Sequence, residues 1–182
     1  GGEMKEFTLE FADNDKFTGA ETVKTKANGK KSQPLDFDEI EYKLNQLDKL
    51  ESDPTGRGAS KTFTYYVREQ QPTTPFTNYK YDQSVYQITV KATDNSKGKI
   101  DISAAYKQIQ DRDGNPVTND TEHAFSEADT PTFTNTYSTT LPLSGMSGVT
   151  LTYLAGAAVL CAAAAWMHIR RKANAKGGER RE

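Results

Sequence analysis

Disulfides are the first thing this sequence lacks. Cysteine occurs once in 182 residues, at Cys161, inside an uncharged apolar run, so no disulfide can hold the rest of the chain together. Such a domain must be held by its core, a metal or another kind of cross-link. Metal is poorly served, because the two histidines, His123 and His168, are isolated and neither a metal site nor a catalytic triad can be built on them. Asp111, Asp113, Asn115, Asn119 and Glu122 fall at positions 1, 3, 5, 9 and 12 of a calcium loop, but position 6, where Gly is required, is Pro116. A Gly-Asn-Pro turn is the better reading there.

Positive charge is scarce outside the tail. The six basic and two acidic side chains after Ile169 give +4, and the formal net charge of −2 leaves −6 for residues 1–169. That balance excludes a nucleic-acid-binding face. No convincing amphipathic helical pattern of ten residues precedes residue 149, which excludes a helical bundle.

What is present is alternation. Glu6 to Phe11 places Phe7, Leu9 and Phe11 on one face and Glu6, Thr8 and Glu10 on the other, a half-buried strand. A short strand is expected at Ala20–Lys24, another over Leu35–Tyr42, and a short helix or turn where Leu44, Leu47 and Leu50 recur every third residue. Glu51 to Ser60 is a loop by its Pro, Gly and Ser. The strongest strands follow. Lys61–Gln70 sets Phe63, Tyr65 and Val67 on one face, and Val85–Thr93 aligns Tyr86, Ile88, Val90 and Ala92. The turn Asp94–Gly98 leads into a partner strand through Ile100, Ile102, Ala104 and Tyr106, and Pro131–Tyr137 is the last strand. Short strands separated by turns predict an all-β antiparallel sandwich over residues 1–137.

Two residues break the pattern toward the core. Glu69 shares parity with Phe63, Tyr65 and Val67, and Asn135 lies between Phe133 and Tyr137 while Thr132, Thr134 and Thr136 take the solvent side. A buried carboxylate is costly unless protonated or paired, and a buried amide needs partners.

The end of the chain has three parts in order. Leu141, Pro142, Leu143, Ser144 and Gly145 form a pentapeptide within a linker at 138–148. Residues 149–169 then run without charge, about 32 Å if helical, long enough to cross a bilayer. Basic residues 170–182 follow, and such flanks keep that end in the cytoplasm. Residues 1–140 are therefore expected outside the cell. The chain begins Gly1-Gly2 with no leader, so it is expected to be the C-terminal part of a longer exported protein.

This order resembles the cell-wall sorting signal of Gram-positive surface proteins, Leu-Pro-x-Thr-Gly, with Ser144 in place of Thr. The resemblance implies that sortase cuts after Ser144, and that peptidoglycan or another pilin subunit accepts the new carboxyl. The membrane would hold the precursor. A second resemblance rests on TFTYYVRE, KYDQSVYQITVKATD and FTNTY, in that order. They look like the streptococcal-type pilin isopeptide linkage domain, from about Phe7 to Tyr137, weakest over Leu44–Ser60. That family implies an immunoglobulin-like sandwich in which a first-strand Lys bonds covalently to the Asn of the final strand. By motif match Asn135 is the acceptor amide and Glu69 the catalytic acid, expected to polarise the amide oxygen. The Lys would lie on a strand ahead of residues 6–11, and Lys5, the only nearby candidate, is not assigned. No cofactor or metal is implied, and the reaction occurs once per chain, so the protein is not an enzyme in the turnover sense. The expected function is a wall-anchored structural pilin or stalk unit. The alternative is an adhesin displayed the same way, its host or matrix ligand unspecified.

Overall fold

The computed structural model describes residues 5–29, 31–53, 55 and 57–137, and three further strand segments at 140–141, 153–154 and 159–167. The elements in chain order are β1 (Thr8–Ala12), β2 (Glu21–Lys24), β3 (Ser32–Phe37), a 3-10 turn (Leu44–Gln46), β4 (Ser60–Glu69), β5 (Tyr79–Lys80), β6 (Val85–Asp94) and β7 (Ile100–Gln110). They continue with β8 (His123–Ala124), β9 (Thr132–Tyr137), β10 (Thr140–Leu141), β11 (Tyr153–Leu154) and β12 (Val159–Met167). Most expected strands form within a residue or two of their predicted ends; the one expected over Leu35–Tyr42 is displaced, running from Ser32 to Phe37.

Six strands make one sheet in the order β2-β1-β4-β6-β7-β8, and four make another in the order β3-β12-β9-β5. Every pairing in the first sheet is antiparallel; β12 runs parallel to β3 and antiparallel to β9. The apolar faces meet in one core. Leu9, Phe11, Val67, Ile88, Val90, Ala92, Ile100 and Tyr106 come from the larger sheet, and Leu35, Phe37 and Phe133 from the smaller. Phe11 joins the two layers, with its ring stacked on Tyr65 at 5.1 Å and tilted against Phe37 at 5.3 Å. Such a pair adds about 0.5–1.5 kcal/mol beyond the area it buries.

The β6–β7 hairpin turns through 95–99, where Ser96 (φ 60°) and Gly98 (φ 78°) adopt the left-handed conformation. At the other end of this pair a bulge between Val85 and Tyr86 sets Val85 opposite Gln110 but Tyr86 opposite Gln108.

One expectation needs correction. Glu10, expected toward solvent, is buried, because the loop after β1 covers it. Arg68 Nε donates to Glu10 Oε2 at 2.7 Å, and the Arg68 guanidinium lies 3.9 Å from the centre of the Phe17 ring. The run 149–169, expected as a membrane-crossing helix, contains the strands β11 and β12, and its other residues lie outside the described part. Among the described residues no helix is long and apolar enough to cross a membrane. The tail 170–182 lies outside the described residues.

Candidate functional site

Strand parity brings Glu69 and Asn135 together. Glu69 ends β4 opposite Leu9 of β1, and Asn135 sits in the middle of β9, each 2 % exposed. They come from different sheets, 66 residues apart in sequence, and meet where the core closes: Asn135 Nδ2 donates to Glu69 Oε2 at 2.7 Å. Phe133, two residues before Asn135 on the same face, is fully buried, and its ring stands edge-on to Tyr86 at 5.3 Å.

The orientation of the Asn135 amide follows from its other neighbour. The backbone N–H of Asp82 lies 2.7 Å from Oδ1, and since an N–H can only donate, the atom facing it must be the carbonyl oxygen. The amide nitrogen therefore faces Glu69. This differs from the expectation that Glu69 addresses the amide oxygen: the carboxyl faces the amide nitrogen, and a backbone N–H faces the oxygen.

Burial raises the Glu69 pKa from the ordinary 4.5 to about 8; the hydrogen bond from Asn135 opposes this shift and the neighbouring Asp82 charge adds to it. The carboxyl thus carries its proton at neutral pH. One of its oxygens, Oε1, is buried with no hydrogen-bond partner among the described residues. An orphaned buried polar atom costs about 1–3 kcal/mol, so its persistence points to a missing partner.

Asp82 was not singled out from the sequence. It lies between β5 and β6, 3 % exposed, with Oδ1 accepting from Ser84 N at 2.8 Å and Oδ2 from Thr134 N at 2.7 Å. The Asp-x-Ser spacing is a turn signal. That the turn folds inward against β9 is a tertiary fact.

The other candidates are dispersed. The Lys5 ammonium lies 5.6 Å from the centre of the Phe76 ring. Leu141 pairs with Tyr153 in the β10–β11 ladder, and Pro142, Leu143, Ser144 and Gly145 lie outside the described residues. The Asp111 loop closes on itself. Asp111 Oδ1 accepts from the N–H groups of Asp113 and Asn115 at 2.9 and 2.8 Å, and Asp113 pairs with Lys80. Among the described residues no group of three or more His, Cys, Asp or Glu side chains could hold a metal. His123, an isolated loop residue by sequence, begins the edge strand β8, its ring stacked on Tyr106 at 5.2 Å. Its nitrogens lie 3.8 and 3.9 Å from Asp120 and Asp129.

An all-β sandwich with an amide and a carboxyl sealed together in its core defines a structural domain of the pilin type, one displayed at the cell surface. Residues 2–138 match the family model FctA, the Spy0128-like isopeptide containing domain, and the chain belongs to that family. No curated protein and no solved structure matches the chain.

Proposed function

We propose that this domain is a wall-anchored pilin or stalk unit of immunoglobulin-like build, stiffened by one isopeptide bond between a lysine amine and Asn135. The observation that carries the reading is the Asn135–Glu69 hydrogen bond of 2.7 Å in a sealed site, with Glu69 Oε1 left without a partner. Burial keeps the Glu69 proton on, and the same burial would hold a lysine amine neutral and nucleophilic. The amine attacks Asn135 Cγ. Glu69, already at Nδ2, protonates the departing nitrogen and receives a proton from the attacking one. Ammonia leaves, an amide remains, and Glu69 regains its proton. Packing replaces the bimolecular encounter, which is why no further machinery is needed.

Sheet register supports one seat for the lysine. Position 161 on β12 lies directly across from Asn135. A side chain at a directly opposite position projects from the same face of a sheet, so a lysine strand seated there would aim its amine at the Asn135 amide. Val159–Met167 holds that seat in this structure. In the precursor the segment 149–169 would instead span the membrane, held by its basic tail, which leaves the seat open to a strand from ahead of β1. Sortase cleavage after Ser144 would then remove the segment altogether, as the carboxyl of Ser144 passes to peptidoglycan or to another pilin subunit.

Intact mass tests the cross-link. Full-length protein should be lighter by about 17 Da, one ammonia for one amine–amide condensation. Glu69→Ala and Asn135→Ala should each restore the full mass. Full mass in the folded parent protein would refute the cross-link. C-terminal sequencing tests the anchor: wall-released protein should end at Ser144, and retention of 149–169 would sink the sorting signal.

A further inference from the structure

The sequence marks Asp82 only as a turn residue, yet its backbone and its side chain hold two successive residues of the reacting strand. Its backbone N–H holds Asn135 Oδ1 at 2.7 Å, and its carboxylate holds the N–H of Thr134, the residue just before, also at 2.7 Å. The same carboxylate closes its own turn on Ser84 N at 2.8 Å. Gln71 Nε2 then bridges the backbone oxygens of Glu69 and Asp82, at 3.3 and 3.0 Å, and fixes the separation between proton carrier and clamp.

We propose that Asp82 organises the condensation: its backbone N–H receives the charge that develops on Asn135 Oδ1, and its carboxylate locks β9 so that the amide nitrogen faces Glu69. This rests on the isopeptide reading above. When the amine adds to Cγ, the C=O electron pair moves onto Oδ1, where the Asp82 N–H already points. When the tetrahedral centre collapses, that pair returns, the Cγ–Nδ2 bond breaks, and the Glu69 proton leaves with nitrogen as ammonia. The attacking amine's proton replaces it, so protons and electrons balance without another reactant. A single preorganised donor of this kind is worth about 10²–10³ in rate.

The carboxylate has a second consequence. Leu9 pairs with Glu69 from β1, Asn135 faces it from β9, and Asp82 is the charged neighbour that acts on it. Its negative charge helps keep Glu69 protonated, so the alkaline limit of the reaction depends on it.

The test follows ammonia loss by mass after refolding full-length protein across a pH series, in variants whose folding is verified by cooperative unfolding. Asp82→Asn keeps the N–H but sets an amide NH₂ against a backbone donor. It should slow condensation about 10-fold or more and move the alkaline limit to lower pH. A backbone ester at position 82, made with the hydroxy-acid analogue of Asp, removes only the N–H. It should slow the reaction by about 10²–10³ and leave the pH limit in place. If folded variants of both kinds react at the parent rate with the parent pH profile, Asp82 has no such role, while the isopeptide reading stands. A slowed Asp82→Asn with an unmoved pH limit, beside an ester at the parent rate, also overturns it, since that is what loose packing alone produces. Failure of the folded parent to lose ammonia at all would instead strike the underlying reading.

Discussion

Replacing Glu69 by Gln in the chain of residues 1–182, in preparations whose mass shows no ammonia loss, should abolish most of the pH dependence of its stability. The carboxyl is raised by burial from 4.5 to about 8. Below about pH 4.5 both the folded and the unfolded state hold the proton and the group contributes no slope. Between about 4.5 and 8 only the folded state holds it, so stability falls as pH rises, by about 1.4 kcal/mol per pH unit. Above about 8 both states are ionised and the loss is complete, on the order of 5 kcal/mol in all. Gln is close in shape to the protonated carboxyl and offers Asn135 Nδ2 an acceptor, so the variant should stay near the low-pH stability of the parent throughout. Urea unfolding followed by tyrosine fluorescence between about pH 5 and 8 gives both slopes, and contributions common to parent and variant cancel in the difference. Equal slopes for parent and variant would refute the argument, because the Glu69 proton would then not be retained on folding.

Phe133→Ala should cost about 3–5 kcal/mol, since the ring is fully buried and its removal leaves a cavity. Thr132→Ala, one residue away on the exposed face, should stay within about 0.5 kcal/mol, and equal effects in urea titration would contradict the assigned faces. Arg68→Ala removes the charged partner of buried Glu10, leaving it only the Gln70 amide, and uncovers Phe17, and should cost about 1–3 kcal/mol. Adding Glu10→Gln should recover part of that loss, and a double variant no better than Arg68→Ala would show that Glu10 is not left stranded.

Period-two alternation fixed a great deal before any coordinates. It placed Val67, Ile88 and Val90 in the core and turned Glu69 and Asn135 inward with them, because side chains in a strand alternate faces whatever lies beyond. It marked the β6–β7 hairpin, because turn residues constrain the backbone locally. It could not say that Glu69 and Asn135 would touch, since parity gives a face and not a partner. Nor could it foresee Asp82, whose contacts to Thr134 and Asn135 span 52 and 53 residues and arise only when the β5–β6 loop folds under β9. The same holds for Glu10, polar by pattern and buried because the loop bearing Phe17 closes over Arg68. The run 149–169 shows the limit from the other side. Its lack of charge and its length are local and legible and favour a helix, but the place of the β12 segment between β3 and β9 is set by those two strands, which the run does not contain.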